Sequence, residues 1–196
     1  NTRKITRTME MVATSKMKRA QDRVVAARPY ANSLTEVIAN LYTPELAERF
    51  PLMRQPAAIK KAAVLLLTSN RGLAGAFNAN LLKEARNLLA KLTEQGVEQE
   101  LHVVGKKGLG YFRYVGREVA SSRTDITGQP TGANAAELVD GLIERFASGD
   151  IDAVYVIYSK FNSALSTPPT SQQVLPVTPP ERKGQQPDYI LMPSAE

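Results

Sequence analysis

The sequence predicts an α/β protein: a Rossmann-like, mostly parallel sheet domain preceded by one long N-terminal helix. Three observations predict it. Residues 1–42 hold no glycine and a single proline, and their apolar positions recur at helical spacing. From Lys61 onward, short apolar runs of strand length alternate with amphipathic helical stretches. Between the two lies TPELAERFPLMRQP, a connection with three prolines. The expected domains are 1–56, the helix with its linker, and 57–196, the sheet domain.

The helix rests on a seam. Met9, Ala13, Met17, Ala20, Val24, Ala27, Ala31, Leu34, Ile38 and Leu41 follow one another at steps of 4, 4, 3, 4, 3, 4, 3, 4 and 3. From Met17 the register is heptad-like. At ~1.5 Å per residue such a helix reaches ~60 Å, longer than a small domain is wide. Pro29 removes one N–H from the ladder, so a bend is expected there and not a stop, because the seam continues beyond it in register.

The sheet domain reads in order. KKAAVLLLTS is a buried strand, NRGLAGAFN a turn, and Asn78 to Gln95 a helix. QELHVVG is the second strand, KKGLGYFRYV a short helix or loop, and REVASS the third strand. Asn134 to Ala147 is an amphipathic helix, DIDAVYVIYSKF a strand, and SQQVLPV another after Pro168 and Pro169. PPERKGQQPD is a loop and DYILM a final short strand. Strands this continuously apolar suit a parallel sheet covered on both faces.

Chemistry is sparse. The absence of cysteine excludes disulfides, thiolate metal sites and thiol nucleophiles. The lone His102 sits in the apolar run ELHVVG, where a structural role is expected. Gly72 and Gly75 follow the first strand without the third glycine that a dinucleotide fingerprint needs. GKKGLG at 105–110 lacks the terminal Lys-Ser/Thr of a phosphate loop and reads as a tight turn into a helix. No carboxylate pair stands out, and no apolar run approaches the length of a bilayer span. No catalytic residue, cofactor or metal is therefore expected.

The charge is concentrated. Net charge is +6, and residues 1–28 carry eight basic and two acidic side chains, while the other 168 hold 17 of each sign. At about 100° per residue, Arg3, Lys4, Arg7 and Lys18 project opposite the seam, and Lys16, Arg19 and Arg23 line one edge of it. A charge run is usually a solvated face. Here the charge is of one sign, and no later helix is long enough to cover the seam, so an interface is expected. A nucleic-acid-binding module with a basic helix is the rival reading. Against it, residues 1–29 contain no aromatic side chain. A small α/β nucleotide-binding enzyme is a second rival.

NTRKITRTMEMVATSKMKRAQ closely resembles the N-terminal helix of the gamma subunits of rotary ATP synthases. There an Asn-Thr-x-Lys-Ile-Thr-x-x-Met-x-Met-Val-Ala run followed by Ser-Lys-Met is typical. TSNRGLAGAFNANL resembles the family's Thr-(Ser/Thr)-Asp-Arg-Gly-Leu-Cys-Gly-x-x-Asn stretch, and RPYA, TEQGV, VGKKG and SALSTPPTSQQVLP fall in the family's order. The resemblance spans essentially the whole chain. Ala74 stands where the family commonly has Cys, Asn70 where it has Asp, and Met192, before Pro193, where it has an acid.

The resemblance implies a central rotor stalk of a proton-translocating ATP synthase, without a catalytic site. Such a stalk couples ion-driven rotation to conformational change in catalytic subunits. It implies that the first helix normally forms an antiparallel coiled coil with a long C-terminal helix. That helix and the extreme N-terminus are absent from this sequence, which begins at Asn1 and so reads as a piece of a longer chain. The coiled-coil seam would be Met17, Ala20, Val24, Ala27, Ala31 and Leu34. Lys4, Arg7, Met9, Lys16, Lys18 and Arg19 would form the torque and bearing contact with the catalytic subunits. Tyr189 and Met192 would contact the rotor ring. The implied partners are alpha and beta subunits, an epsilon-type stalk subunit and the membrane c-ring, with no nucleic acid and no lipid insertion. The implied location is peripheral, on the cytoplasmic face of the cell (inner) membrane, or the matrix or stroma side in an organelle.

Overall fold

The computed structural model describes residues 2–41, 49–126 and 128–177, and the side chains of α1 as far as residue 38. The chain divides into two units, one holding the first helix and the other the described residues from 49 to 177.

The first unit contains α1, Thr2–Leu41, forty residues with Pro29 inside. The helix passes through the proline without ending, as the unbroken seam predicts. Its threonines bond back to their own helix: Thr8 Oγ1 donates to the Lys4 carbonyl at 3.0 Å and Thr35 Oγ1 to that of Ala31 at 2.9 Å.

The second unit opens with a short 3-10 turn, Pro51–Met53. Next come β1 (Lys61–Leu67), α2 (Phe77–Glu94), β2 (Glu98–Val104), α3 (Lys106–Tyr114) and β3 (Ser121–Arg123). α4 (Gly132–Ser148), β4 (Ala153–Ser159) and β5 (Pro169–Leu175) complete it. The sheet order is β3-β2-β1-β4-β5. β1 lies parallel to β2 and β4, and β3 parallel to β2, while β5 runs antiparallel to β4. The connection from β4 to β5 is too short for a crossover, and a hairpin turn closes it, with Ser163 and Ser166 exchanging backbone hydrogen bonds at 3.1 and 3.2 Å.

The pleat sorts β1 between two cores. Ala62, Val64 and Leu66 join Leu81, Ala85, Leu89 and Leu92 of α2 and Phe112 of α3 on one face. Ala63 turns to the other face, with Leu142 and Phe146 of α4, Ile151 and Val154. Phe112, Phe146 and Leu66 are almost wholly buried, and each such side chain contributes about 1.5–3 kcal/mol through removal from water. α4 starts at a capping box in which Thr131 Oγ1 accepts from the Asn134 amide and Asn134 Oδ1 accepts from the Thr131 amide. It stops at Gly149, whose φ of +83° a side chain would resist.

β5 starts at Pro169 and ends at Leu175, two residues ahead of the expected SQQVLPV at each end, and β3 departs further from its expected span. REVASS covers 117–122, but β3 is Ser121–Arg123. The Arg117 amide returns to the Phe112 carbonyl at the end of α3 (2.9 Å), so the backbone meets β2 only from Ala120, whose amide donates to the Leu101 carbonyl at 2.8 Å, and the strand register begins where Ser121 pairs with His102. The expected loop at 179–188 and the strand DYILM lie outside the described residues.

Candidate functional site

The residues expected to form the contact and seam faces all stand on α1. Lys4, Arg7, Met9, Lys16, Lys18 and Arg19 are exposed, and so are Met17, Ala20, Val24, Ala27, Ala31 and Leu34. Met9 and Met17 keep about half of their surface open (53% and 50%). Because the helix is continuous, its angular spacing holds: Lys4, Arg7 and Lys18 stand away from the seam, and Lys16 and Arg19 line its edge. Among the described residues, the ion pairs involve Arg54, Lys61, His102, Arg123 and Arg145 with nearby acids, and none engages Lys4, Arg7, Lys16, Lys18 or Arg19. A solvated face stabilising its own helix would pair its cations with acids three or four residues away. Tyr189 and Met192 lie outside the described residues.

The carboxyl edge of the sheet is where an open α/β fold would hold a nucleotide, at the point where strand order reverses between β1 and β4. In this chain the neighbouring stretch of that edge, between β1 and β2, is taken up by the turn after β1. At the start of α3, the Lys106 amide donates to Asn70 Oδ1 (3.0 Å), the Lys107 amide to the Ser69 carbonyl (3.1 Å) and the Gly108 amide to Thr68 Oγ1 (3.0 Å). The N–H groups that would greet a phosphate are thus engaged by the turn after β1. The glycines of GKKGLG serve this packing. A Cβ on Gly105 would fall 2.3 Å from the Thr68 carbonyl oxygen, and one on Gly108 would fall 2.7 Å from Thr68 Oγ1.

Asn70 departs from the Asp that the resemblance implies, and its amide uses the difference. Nδ2 donates to the carbonyls of Thr124 and Ile126, both at 2.9 Å, which a carboxylate cannot do. Beyond it, Leu73 is 97% exposed and holds a left-handed φ of +58°, a costly conformation for a branched apolar residue.

The opposite face of the sheet gathers charges that sequence reasoning did not single out. Arg145 of α4 holds Glu100 through both terminal nitrogens, at 2.6 and 2.9 Å, and its Nε donates to Asp150. Lys61 Nζ reaches Glu100 at 2.9 Å. The Arg145 hydrogen bonds, with that of Lys61, draw the Glu100 carboxyl down to about 2 against the cost of its partial burial. His102 stands beside them, Nδ1 2.7 Å from Ser121 Oγ and Nε2 buried 3.7 Å from Glu100 Oε2. Burial pushes its pKa down. A neutral ring that accepts the Ser121 hydroxyl proton at Nδ1 and points Nε2–H toward the carboxylate suits both neighbours. The signal was the period of two in Glu98, Glu100 and His102, which puts all three on one strand face. The cluster is charge-compensated and fixed, so it serves structure.

The family model described as ATP synthase matches residues 1–196. The chain is 64% identical to the ATP synthase gamma chain of Gemmatimonas aurantiaca, covering all of this chain and 69% of that one. It is 38% identical to the gamma chain of Frankia casuarinae, covering all of this chain and 68% of the relative. Among solved structures, it is similar to a chain of the Tetrahymena thermophila mitochondrial ATP synthase central stalk and c-ring. There the TM-score is 0.65 and the identity 26%, with 94% of this chain and 81% of that one covered. None of these relatives supports the nucleic-acid-binding or nucleotide-enzyme readings.

Proposed function

Because the chain belongs to the gamma-chain family of ATP synthase, whose members are non-catalytic central-stalk subunits, we propose that it is the part of the stalk that carries torque by electrostatic contact. The observation that carries this reading is that α1 carries, beside an exposed apolar seam, exposed cations that no ion pair engages among the described residues, although Glu10 stands three residues from Arg7 and Asp22 four from Lys18. The seam, Met17 to Leu34, takes a second helix in an antiparallel coiled coil. Lys4, Arg7, Lys16, Lys18 and Arg19, with Met9 beside them, face acidic loops of a surrounding ring of alpha and beta subunits. Attraction between solvated charges is long in range and weak in direction, so it survives sliding where fixed hydrogen bonds would hold the stalk in one place. As the stalk turns, each catalytic site meets a different face, and differential contact shifts its conformational equilibrium.

The sheet domain would be the foot, beside an epsilon-type subunit and the c-ring, with Tyr189 and Met192 in the ring contact. Among the described residues no helix is long and apolar enough to cross a membrane, which accords with a peripheral place on the cytoplasmic face or its organellar equivalent. The test is reconstitution of the proton-translocating complex with and without the chain. ATP-driven proton pumping that needs the chain supports the reading, and equal pumping without it rejects the reading.

A further inference from the structure

The chain enters and leaves the sheet at one edge. β1 begins at Lys61 on the amino edge, and β5 ends on the same edge, since Leu175 pairs with Val154 near the start of β4. Gln55, ahead of β1, reaches the segment beyond β5, its Nε2 donating to the Val177 carbonyl at 2.9 Å. Entry and exit are therefore tied to each other.

Beside Gln55, Arg54 ties the entering segment to the fold. Its Nε donates to the Phe146 carbonyl at 2.7 Å, and a terminal nitrogen donates to the Ile151 carbonyl. Phe146 lies in the last turn of α4, at the negative end of the helix, where a cation is favoured. The guanidinium also stands 4.3 Å from the centre of the buried Phe146 ring. Its other terminal nitrogen is 3.9 Å from Asp152 Oδ1, while Asp152 Oδ2 accepts from the amides of Lys60 and Lys61 at 2.9 and 3.1 Å. Arg54 thus binds the segment before β1 to the corner between α4 and β4. Among the described residues, the backbone hydrogen bonds of 50–59 are Met53 to Phe50 and Arg54 to Pro51, both within the 3-10 turn. The side chains of Arg54 and Gln55 supply the hydrogen bonds that leave it.

We propose that Arg54 is a positioning residue of the stalk: with Gln55 it anchors the segment arriving from α1 to the α4–β4 corner and joins it to the segment leaving after β5, so that both turn with the sheet domain. The inference rests on the stalk reading above. Within this chain α1 reaches β1 only through residues 42–60, so a twist passed along the chain crosses this segment. A segment bonded only within its own turn would yield before the sheet does. A guanidinium forked onto two carbonyls resists that slip in a way that a single point charge does not.

The test uses the full-length chain in the assembled complex. Residues 1–196 hold no cysteine, so F50C and V177C give the only spin-label sites in this part of the chain. Pulsed electron resonance reads the distance between the labels, and protons pumped per ATP hydrolysed read coupling. R54M is expected to broaden the distance distribution about twofold and to lower pumping per ATP about twofold, because Gln55 alone then ties the segment. R54K keeps the charge without the fork, and its effects fall between those of R54M and the parent. T131A removes the cap at the other end of α4, so it lowers the melt while distance and pumping stay parental. An unchanged distribution in R54M overturns the inference, and so does a broader one with parental pumping. An equal loss of pumping in T131A at an equal melt also overturns it, since lost stability would then explain the effect. If R54M does not fold, R54K decides by the same criteria. Failure of the parent chain itself to support pumping would instead reject the stalk reading.

Discussion

Arg145 and Glu100 meet face to face across the sheet, the guanidinium giving two parallel hydrogen bonds of 2.6 and 2.9 Å to one carboxylate. The pair clamps α4 to β2, on the face where α4 offers only Leu142 and Phe146 as fully buried apolar anchors. Removing Arg145 leaves Glu100 with Lys61 and the His102 ring 3.7 Å away. R145M is expected to lower stability by about 1–2 kcal/mol in urea denaturation, less than for a fully buried pair because Arg145 is one-third exposed. The sign with pH follows from the depressed carboxyl. Its stabilisation is complete above the ordinary value of 4.5 and is lost as pH falls toward about 2. The parent should therefore lose stability over that window more steeply than R145M, and parallel pH profiles would show that the clamp contributes little.

Gly105 and Gly110 make a matched pair of opposite sign. A side chain on Gly105 would collide with the Thr68 carbonyl and would adopt a φ of +99°. G105A is expected to cost about 3 kcal/mol or more, or to prevent folding. Gly110 lies inside α3 with nothing within 4 Å of a built Cβ. G110A is expected to raise stability by about 0.5–1 kcal/mol through helix propensity. Thermal melts of the two variants check both statements.

Reversing two or three of Lys4, Arg7, Lys16 and Lys18 to Glu should impair coupled turnover and spare the fold. These side chains are exposed and form no ion pair among the described residues. Attraction to acidic loops becomes repulsion, renewed at each step of rotation, and ATP-driven pumping is expected to fall roughly threefold or more. The melt should hardly move. A sharp fall in the melt with pumping intact would make the face structural, and a single reversal is expected to be silent.

Titration of the sheet domain with ATP or NAD should give no low-micromolar binding. The first three amides of α3 are already hydrogen-bonded to Thr68, Ser69 and Asn70, so a phosphate would have to displace them. Calorimetric heats that saturate in the low-micromolar range would overturn this.

The long helix was legible because a seam of 3 and 4 is a local property: each step needs only the residue one turn away. β1, α2, β2 and β4 were legible for the same reason, and their observed bounds fall within three residues of those expected. β3 was misplaced because its start depends on where the end of α3 releases the chain, a matter of the Arg117–Phe112 bond and not of composition.

By itself the sequence determined most of the elements, the mostly parallel character of the sheet, and the positions of charge and seam on α1. The tertiary structure alone decided which charges meet and which loops are joined. Glu100 and Arg145 are 45 residues apart, and Asn70 and Thr124 are 54 apart. Such pairs have no periodic signature, because their meeting depends on the path of every crossover between them. Hydrophobic patterning is written along the chain, whereas a clamp or a clasp exists only once the sheet has brought its strand ends together.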